Sequence, residues 1–551
     1  MPAFTAPGRA TARGAAILAA VAVLFTVPAF AQHDHRHGKQ LGRVEFPVSC
    51  APEAQRRFGH AMAVLHSFWW EEGDHAFGAV LDADSACAMA HWGLALNAWG
   101  NPFAGGPTGA TLTHGAEAAA RAVAARAPTA RERGFIAAAA ALYRDAATTS
   151  NAARLEAYGE EMARLYRAHP GDIEVAIYHA LALVATAPRT DTTFARQRQA
   201  AAILNPLFAA HPDHPGLAHY IIHSTDSPRL AHLGLDAARR YARIAPAAPH
   251  AQHMPSHIFI RLGLWDEAVA SNWASYRAGI DYATKAALPG GATAHELHAL
   301  DYAVYGYLQR GQDSAAAATV ATAGRLDLPA DQRVLISEYN GTAMAARIPL
   351  ERGEWSAAAA FRPSRPTAGG MAQALTSFTR AVGAARSGRP AEARGELAAL
   401  EALASDFEQR KESYWARVVR ITHDAAEAWV RFASGDAAGG LALAKAAADR
   451  EDVTDKHPVT PAELLPAREL EGDMLLAAGR YRDAGAAYRA TLAREPGRAR
   501  SIYGAARAAE LAGDRPAAAE GYRALQAMLQ PADRPRAELD TARTFLTRAG
   551  L

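Results

Sequence analysis

"LLAAGRYRDAGAAYRATLAREP", residues 475–496, is the stretch that decides the fold. A second copy, "ELAGDRPAAAEGYRALQAML", occupies residues 510–529. Gly479 and Gly513, Ala484 and Ala518, and Tyr488 and Tyr522 are each separated by 34 residues. Three matched positions at a period of 34 are the signature of a tetratricopeptide helix pair. Small residues let the two helices approach closely, and the tyrosine fills the gap between them. Pro496 falls after the end of a helix, where a proline is tolerated.

Weaker copies run upstream: "RLGLWDEAVASN" (261–272), "ERGEWSAAAAF" (351–361), "RSGRPAEARGEL" (386–397) and "ASGDAAGGLALA" (433–444). Their glycines are unevenly spaced. Gly263 to Gly311 is 48 residues, Gly311 to Gly353 is 42 and Gly353 to Gly388 is 35. The repeats are therefore degenerate, with longer helices than the C-terminal pair. A helix pair cannot bury its apolar face alone, so stacked pairs share a continuous core. The expected fold is all-α, a tetratricopeptide-like α-solenoid with a concave face. Composition agrees, because much of the hydrophobic half of the chain is alanine, the best helix former.

Residues 1–31 read as a secretory signal. Arg9 and Arg13 precede the short apolar run "AAILAAVAVLFTV" (15–27), and "AFA" (29–31) offers small residues for cleavage. The run is too short to span a membrane comfortably. Residues 32–45 follow as a histidine-rich flexible tail. A histidine-rich helical region covers 46–330, and cleaner repeats cover 331–551, with a soft boundary at 330–370. Removing residues 1–31 takes away two arginines and no acids, which brings the net charge of +2 to neutral. A neutral chain gives no electrostatic case for nucleic acid or for an anionic membrane surface. The expected location is periplasmic or secreted. Cys50 and Cys87 are the two cysteines, and an even pair in an exported chain points to a disulfide. Its 38-residue loop is worth about 4 kcal/mol by chain entropy.

The histidines are clustered. Eight of the 22 lie between residues 211 and 257, and only His423 and His457 lie beyond 301. "HYIIHSTD" sets His219 and His223 on one helix face, with Asp226 three residues on. "HAQHMPSH" holds His250, His253 and His257, with a helix start at Pro255. "HELHALDY" sets His295, His298 and Asp301 on a further face. Neutral imidazoles with a nearby carboxylate suit a divalent transition metal such as zinc or copper. The same residues also suit a satisfied internal hydrogen-bond network, or a catalytic or small-ligand site. "QHDHRHG" (32–38) is a tract able to hold metal weakly. No phosphate-binding glycine loop and no nucleophile elbow occurs, and "HELH" is one residue short of a zincin motif. The chain reads as a binder more than as an enzyme.

"AMAVLHSFWWEE", "CAMAHWGLALNAWGNP", "HYIIHSTDSPRLAHLGLDAARRYARIAP" and "HAQHMPSHIFIRLGLWDEAVASN" together resemble a family of exported bacterial tetratricopeptide-repeat proteins of uncharacterised function. The resemblance covers roughly residues 46–310. It implies a helical repeat fold and an envelope location, and it implies no activity. His219, His223, His250, His253 and His257 sit in its hallmark segments. Folds of this type usually take a protein or peptide partner in the groove, which is an analogy from fold. Two functions are therefore carried forward. One is a scaffold for a protein or peptide. The other is a metal-binding protein, with metal-assisted hydrolysis as the reaction class a metal-bound water would serve.

Overall fold

The computed structural model describes residues 40–188, 190–328, 335–363 and 370–550. The signal-like segment at 1–31, the histidine tract at 32–38 and most of the Arg362–Gly370 loop lie outside the described residues. Among the described residues the regular elements are helices, and there is no strand.

The repeat glycines share one physical role. Gly263, Gly311, Gly353, Gly388, Gly435, Gly479 and Gly513 all have φ between 65° and 99°. This left-handed region is open to glycine without steric penalty. In each case the next residue sends its N–H back to the carbonyl five positions earlier. Leu264 bonds Phe259 at 2.9 Å, Arg480 bonds Leu475 at 2.9 Å and Asp514 bonds Ala509 at 2.9 Å. These are helix-ending Schellman turns. Each one reverses the chain between two helices, as in Ala467–Ala477 with Tyr481–Arg494, and Ala499–Leu511 with Arg515–Met528. Tyr488 does fill the gap. A Cβ added to Gly472 or Gly504 would lie 2.9 or 2.3 Å from its ring.

The same turn also forms without glycine, at Phe68, Ala287 and Lys411, with φ of 50°, 51° and 61°. After the helix Pro52–His66, the Phe68 N–H bonds Leu65 at 3.1 Å and the Trp69 N–H bonds Val64 at 3.3 Å. That is the same turn, with Phe68 at φ 50° in place of glycine. Cys50 and Cys87 form the expected disulfide, with Cα atoms 5.2 Å apart. It ties the start of this helix to the start of Ala88–Trp99. The assignment of residues up to 45 to a flexible tail is corrected. Leu41 is fully buried, and Arg43 donates its N–H to the Asp213 carbonyl at 3.0 Å. Gly42, at φ 81°, makes this approach possible, because a Cβ there would meet the Asp213 oxygen at 2.5 Å.

Packing continues along the whole stack. Leu297, Leu300, Val304, Leu308, Leu328 and Met344 belong to one buried cluster that joins earlier repeats to later ones. The C-terminal repeats then turn back onto the middle of the chain. Trp265 donates to the Gly497 carbonyl at 3.0 Å, and Arg310 to Met528 at 3.1 Å. Arg536 pairs with Asp313 at the Gly311 turn. The segment 455–463, between Ala437–Asp452 and Ala467–Ala477, lies along the helix Ala294–Gln309. Tyr302 donates its hydroxyl toward the Pro458 and Thr460 carbonyls, at 2.8 and 3.1 Å. Arg347 donates to Thr460, Ala462 and Glu463. No helix among the described residues is long and apolar enough to cross a membrane.

Candidate metal centre

Three helix segments bring six histidines together. Pro215 opens the helix Pro215–Thr225, which places His219 and His223 one turn apart. Two short helices, Pro249–His253 and Pro255–Arg261, run almost without interruption through Met254, which keeps helical angles. They carry His250, His253 and His257. A Thr293 cap and Glu296 start Ala294–Gln309, which carries His298.

The six rings form two triads. In the first, His219, His223 and His250 offer ligand atoms all within 4.8 Å of one another. His219 Nε2 is 3.0 Å from His223 Nε2 and 3.1 Å from His250 Nε2. In the second, His253, His257 and His298 meet the same condition, with His253 Nε2 and His257 Nε2 3.0 Å apart. The triads adjoin through His250 and His253, whose ring centroids are 6.2 Å apart.

The opposite nitrogens decide what these rings present. His219 donates Nδ1–H to the His66 carbonyl at 2.6 Å. His253 donates Nδ1–H to Asn272 Oδ1 at 2.6 Å, and the Asn272 amide is turned by its own bond to the Ala268 carbonyl. His257 donates Nδ1–H to Asp226 at 2.9 Å. With those protons committed, each neutral ring has a bare Nε2. His253 and His257 therefore point lone pairs at each other across 3.0 Å. That arrangement is repulsive in a closed hydrogen-bond network and is what a shared cation requires. A metal-ligating imidazole commonly hands its other N–H to a carbonyl or carboxylate, as these three do.

Burial keeps the rings neutral. It pulls His219 down to about 3. His223, His250, His253 and His298 are driven well below the usual imidazole range by burial first and then by the neighbouring histidines. Burial also lowers His257, and Lys456 and Arg261 add to this against the Asp226 bond. Burial would raise Asp226, but Lys456, Arg261 and His257 hold it well below the usual carboxylate range. Lys456 itself is pulled by burial down to about 8.

Three of the expected ligands stand elsewhere. Asp226 lies behind His257 and pairs with Arg261 at 2.8 Å, so it orients the His257 ring and is not one of the converging groups. Asp301 faces away, held by Arg347 at 3.1 Å and Asn340 at 2.9 Å. A fully buried carboxylate needs a cation and donors, and Arg347 and Asn340 supply them. His295 joins neither triad. Its Nε2 is 3.0 Å from Ser275 Oγ, and its ring stands 5.7 Å from His250 and 5.6 Å from His253 by centroids. Burial takes it down to about 4.

Sequence reading missed a third group, His66, Glu174 and His214. Here the network is closed. His214 Nδ1 accepts the Leu217 N–H, so its Nε2–H donates to Glu174 at 2.9 Å. His66 bonds Glu174 at 3.0 Å and Tyr220 at 3.1 Å. No ring nitrogen is left bare, and the group serves to hold the His66 carbonyl against His219. The half-buried trio His423, Asp424 and Glu427 is tied to Arg450 and Arg431 as an ion network.

Fold and site define a class, an all-α helical repeat protein with two adjoining histidine triads, His219, His253 and His257 buried and His223, His250 and His298 half-buried. No family model matches the chain, and no curated protein matches it. Among solved structures it is similar to a Naa15/Naa10 complex bound to HypK-THB, at 12% identity and a TM-score of 0.23, over 90% of this chain and 74% of that one. It is also similar to a circular tandem repeat protein with novel repeat topology, at 11% identity and a TM-score of 0.14, over 91% and 99%. Likenesses this remote carry no argument about function.

Proposed function

We propose that this protein binds transition-metal ions at the two histidine triads, one ion at each. The observation that carries the reading is the pair of bare Nε2 atoms of His253 and His257 at 3.0 Å, each with its Nδ1 proton committed elsewhere. Six neutral imidazoles without a converging carboxylate suit copper or zinc, and do not suit calcium or magnesium. A protein or peptide partner in the groove ranks second. It rests on the repeat architecture alone, which hosts many functions, whereas the metal reading rests on named atoms. An oxidising compartment, periplasmic or extracellular, is supported by the Cys50–Cys87 bond and by the signal-like first 31 residues. Membership of the exported bacterial repeat family is supported by the quoted histidine-bearing segments.

The test is metal content by elemental mass spectrometry after loading with copper or zinc and gel filtration. The wild type is expected to hold two ions per chain. His219→Ala/His223→Ala and His253→Ala/His257→Ala are each expected to hold one. A variant beginning at Gln40 is expected to keep both, which separates the triads from the histidine tract at 32–38. Failure of the wild type to retain either metal would sink the reading.

A further inference from the structure

The ring of Tyr302 touches all three imidazoles of the second triad, at centroid distances of 4.8 Å to His253, 5.0 Å to His257 and 5.2 Å to His298. Its hydroxyl holds the segment 455–463 by the Pro458 and Thr460 carbonyls. Asp226 makes a second link. It accepts the His257 Nδ1–H, lies 3.8 Å from Lys456 Nζ and pairs with Arg261, which also reaches Asp455 at 3.3 Å. Two residues that touch the second triad therefore hold a strap from the far half of the chain.

The first triad is framed otherwise. Phe68 and Phe103 pack on its rings, Tyr241 stacks on His219, and the His66 carbonyl takes the His219 proton. All of these precede His250 in the chain. Exposure differs in the same sense, with two buried rings in the second triad and one in the first. Closed sites hold structural ions, whereas sites that do chemistry keep an open position. The strap itself has no helix or strand. From Val459 onward it is also held by Asn340, at 2.7 Å to the Val459 carbonyl, and by Arg347. Asp455 and Lys456 meet the histidine region through Arg261 and Asp226. Without an ion, His253 and His257 turn lone pairs on each other across 3.0 Å. Rotating either ring to relieve that repulsion disturbs Tyr302, and rotating His257 also disturbs its bond to Asp226. An ion replaces the repulsion with bonds of about 2.0–2.1 Å for zinc and fixes the rings.

We propose that the ion at the second triad is a structural clasp, which locks Tyr302 and Asp226 and through them fastens the strap 455–463, and with it the C-terminal repeats, to the histidine region. The clasp rests on the metal-binding reading. Linkage makes the coupling reciprocal, so whatever factor the ion adds to strap docking, the docked strap adds to ion affinity.

Zinc, which is redox-silent, is the probe, and hydrogen exchange of the full chain read by mass spectrometry is the measurement. Peptides covering Thr454–His457 are expected to exchange about tenfold more slowly with zinc, a typical coupling between sites, in the wild type and in His219→Ala/His223→Ala alike. In His253→Ala/His257→Ala, which keeps zinc at the first triad as proof of folding, zinc should leave strap exchange unchanged. The reciprocal arm uses Tyr302→Phe, which keeps the ring against the imidazoles and releases the two carbonyls. Its zinc affinity at the second triad, read by chelator competition, should fall about three- to tenfold, the worth of one hydrogen bond, with the first triad unchanged. A wild type that holds two zinc ions with strap exchange unmoved, or Tyr302→Phe with unaltered affinity at both triads, overturns the clasp and leaves metal binding standing. A wild type that retains no zinc removes both.

Discussion

His257 gives its Nδ1 proton to Asp226 across 2.9 Å, and that bond fixes which nitrogen faces His253. Asp226→Asn keeps the shape and removes the charge. Affinity at the second triad is expected to fall about 10-fold or more, as for other carboxylate–histidine pairs, while the first triad is unchanged. Competition against a chromophoric chelator reads both sites, and equal loss at both would contradict this division.

Asp301 is expected to matter for folding and not for metal. It is fully buried against Arg347, and Asp301→Ala leaves that guanidinium without its carboxylate. The cost is about 3–5 kcal/mol, read by urea denaturation. Metal stoichiometry stays at two, and a drop to one would return Asp301 to the ligand set.

Glu174→Gln replaces an acceptor of two histidine N–H groups by an amide that must turn its own N–H₂ toward one of them. A loss of about 1.5–3 kcal/mol is expected from the charged hydrogen bonds. His66 also loosens, and its carbonyl is what holds His219, so metal occupancy should fall at the first triad and persist at the second.

The metal-free protein is expected to lose stability in acid. Burial takes His219 and His295 down to about 3 and about 4 in the folded state, against 6.5 for a free imidazole. Between those values and 6.5 the unfolded chain takes up protons that the folded chain refuses, so stability rises with pH through that window. It is fully present above 6.5 and lost as pH falls toward 3. Bound metal should move the midpoint of acid unfolding lower. Fluorescence-detected unfolding from pH 7 to 3, with and without metal, checks both statements.

Reducing the Cys50–Cys87 bond, or replacing both residues by serine, is expected to cost about 2–4 kcal/mol and to lower the thermal midpoint. The two ends it joins are the first and third helices, so the damage should appear first in protease cleavage near residues 40–90.

The repeat glycines were legible in the sequence because a left-handed turn is a local demand with one cheap residue to meet it. The histidine spacings were legible for the same reason, since three or four residues make one helix turn. The division into two triads was not, because it depends on how three separated segments pack. Nor could spacing tell that Asp301 points to Arg347 and Asp226 to Arg261, since both partners lie far along the chain. The His66 carbonyl leaves no mark in sequence at all, because every residue has one. Phe68 is visible as an aromatic in "HSFWW", but its left-handed angle leaves no mark there, as it leaves none at Ala287 or Lys411.

The segment 455–463 gives the two triads different birthdays. The first has its three rings, and the carbonyl that holds His219, once residue 250 has been made. The second has its last ring at His298, but Asp226 and Tyr302 beside it meet Lys456, Pro458 and Thr460 only after 158 or more further residues. At ribosomal speed that interval is on the order of ten to thirty seconds. A chain folding in the order of its synthesis can thus shape one metal pocket early and must wait for the far end of its sequence to finish the other.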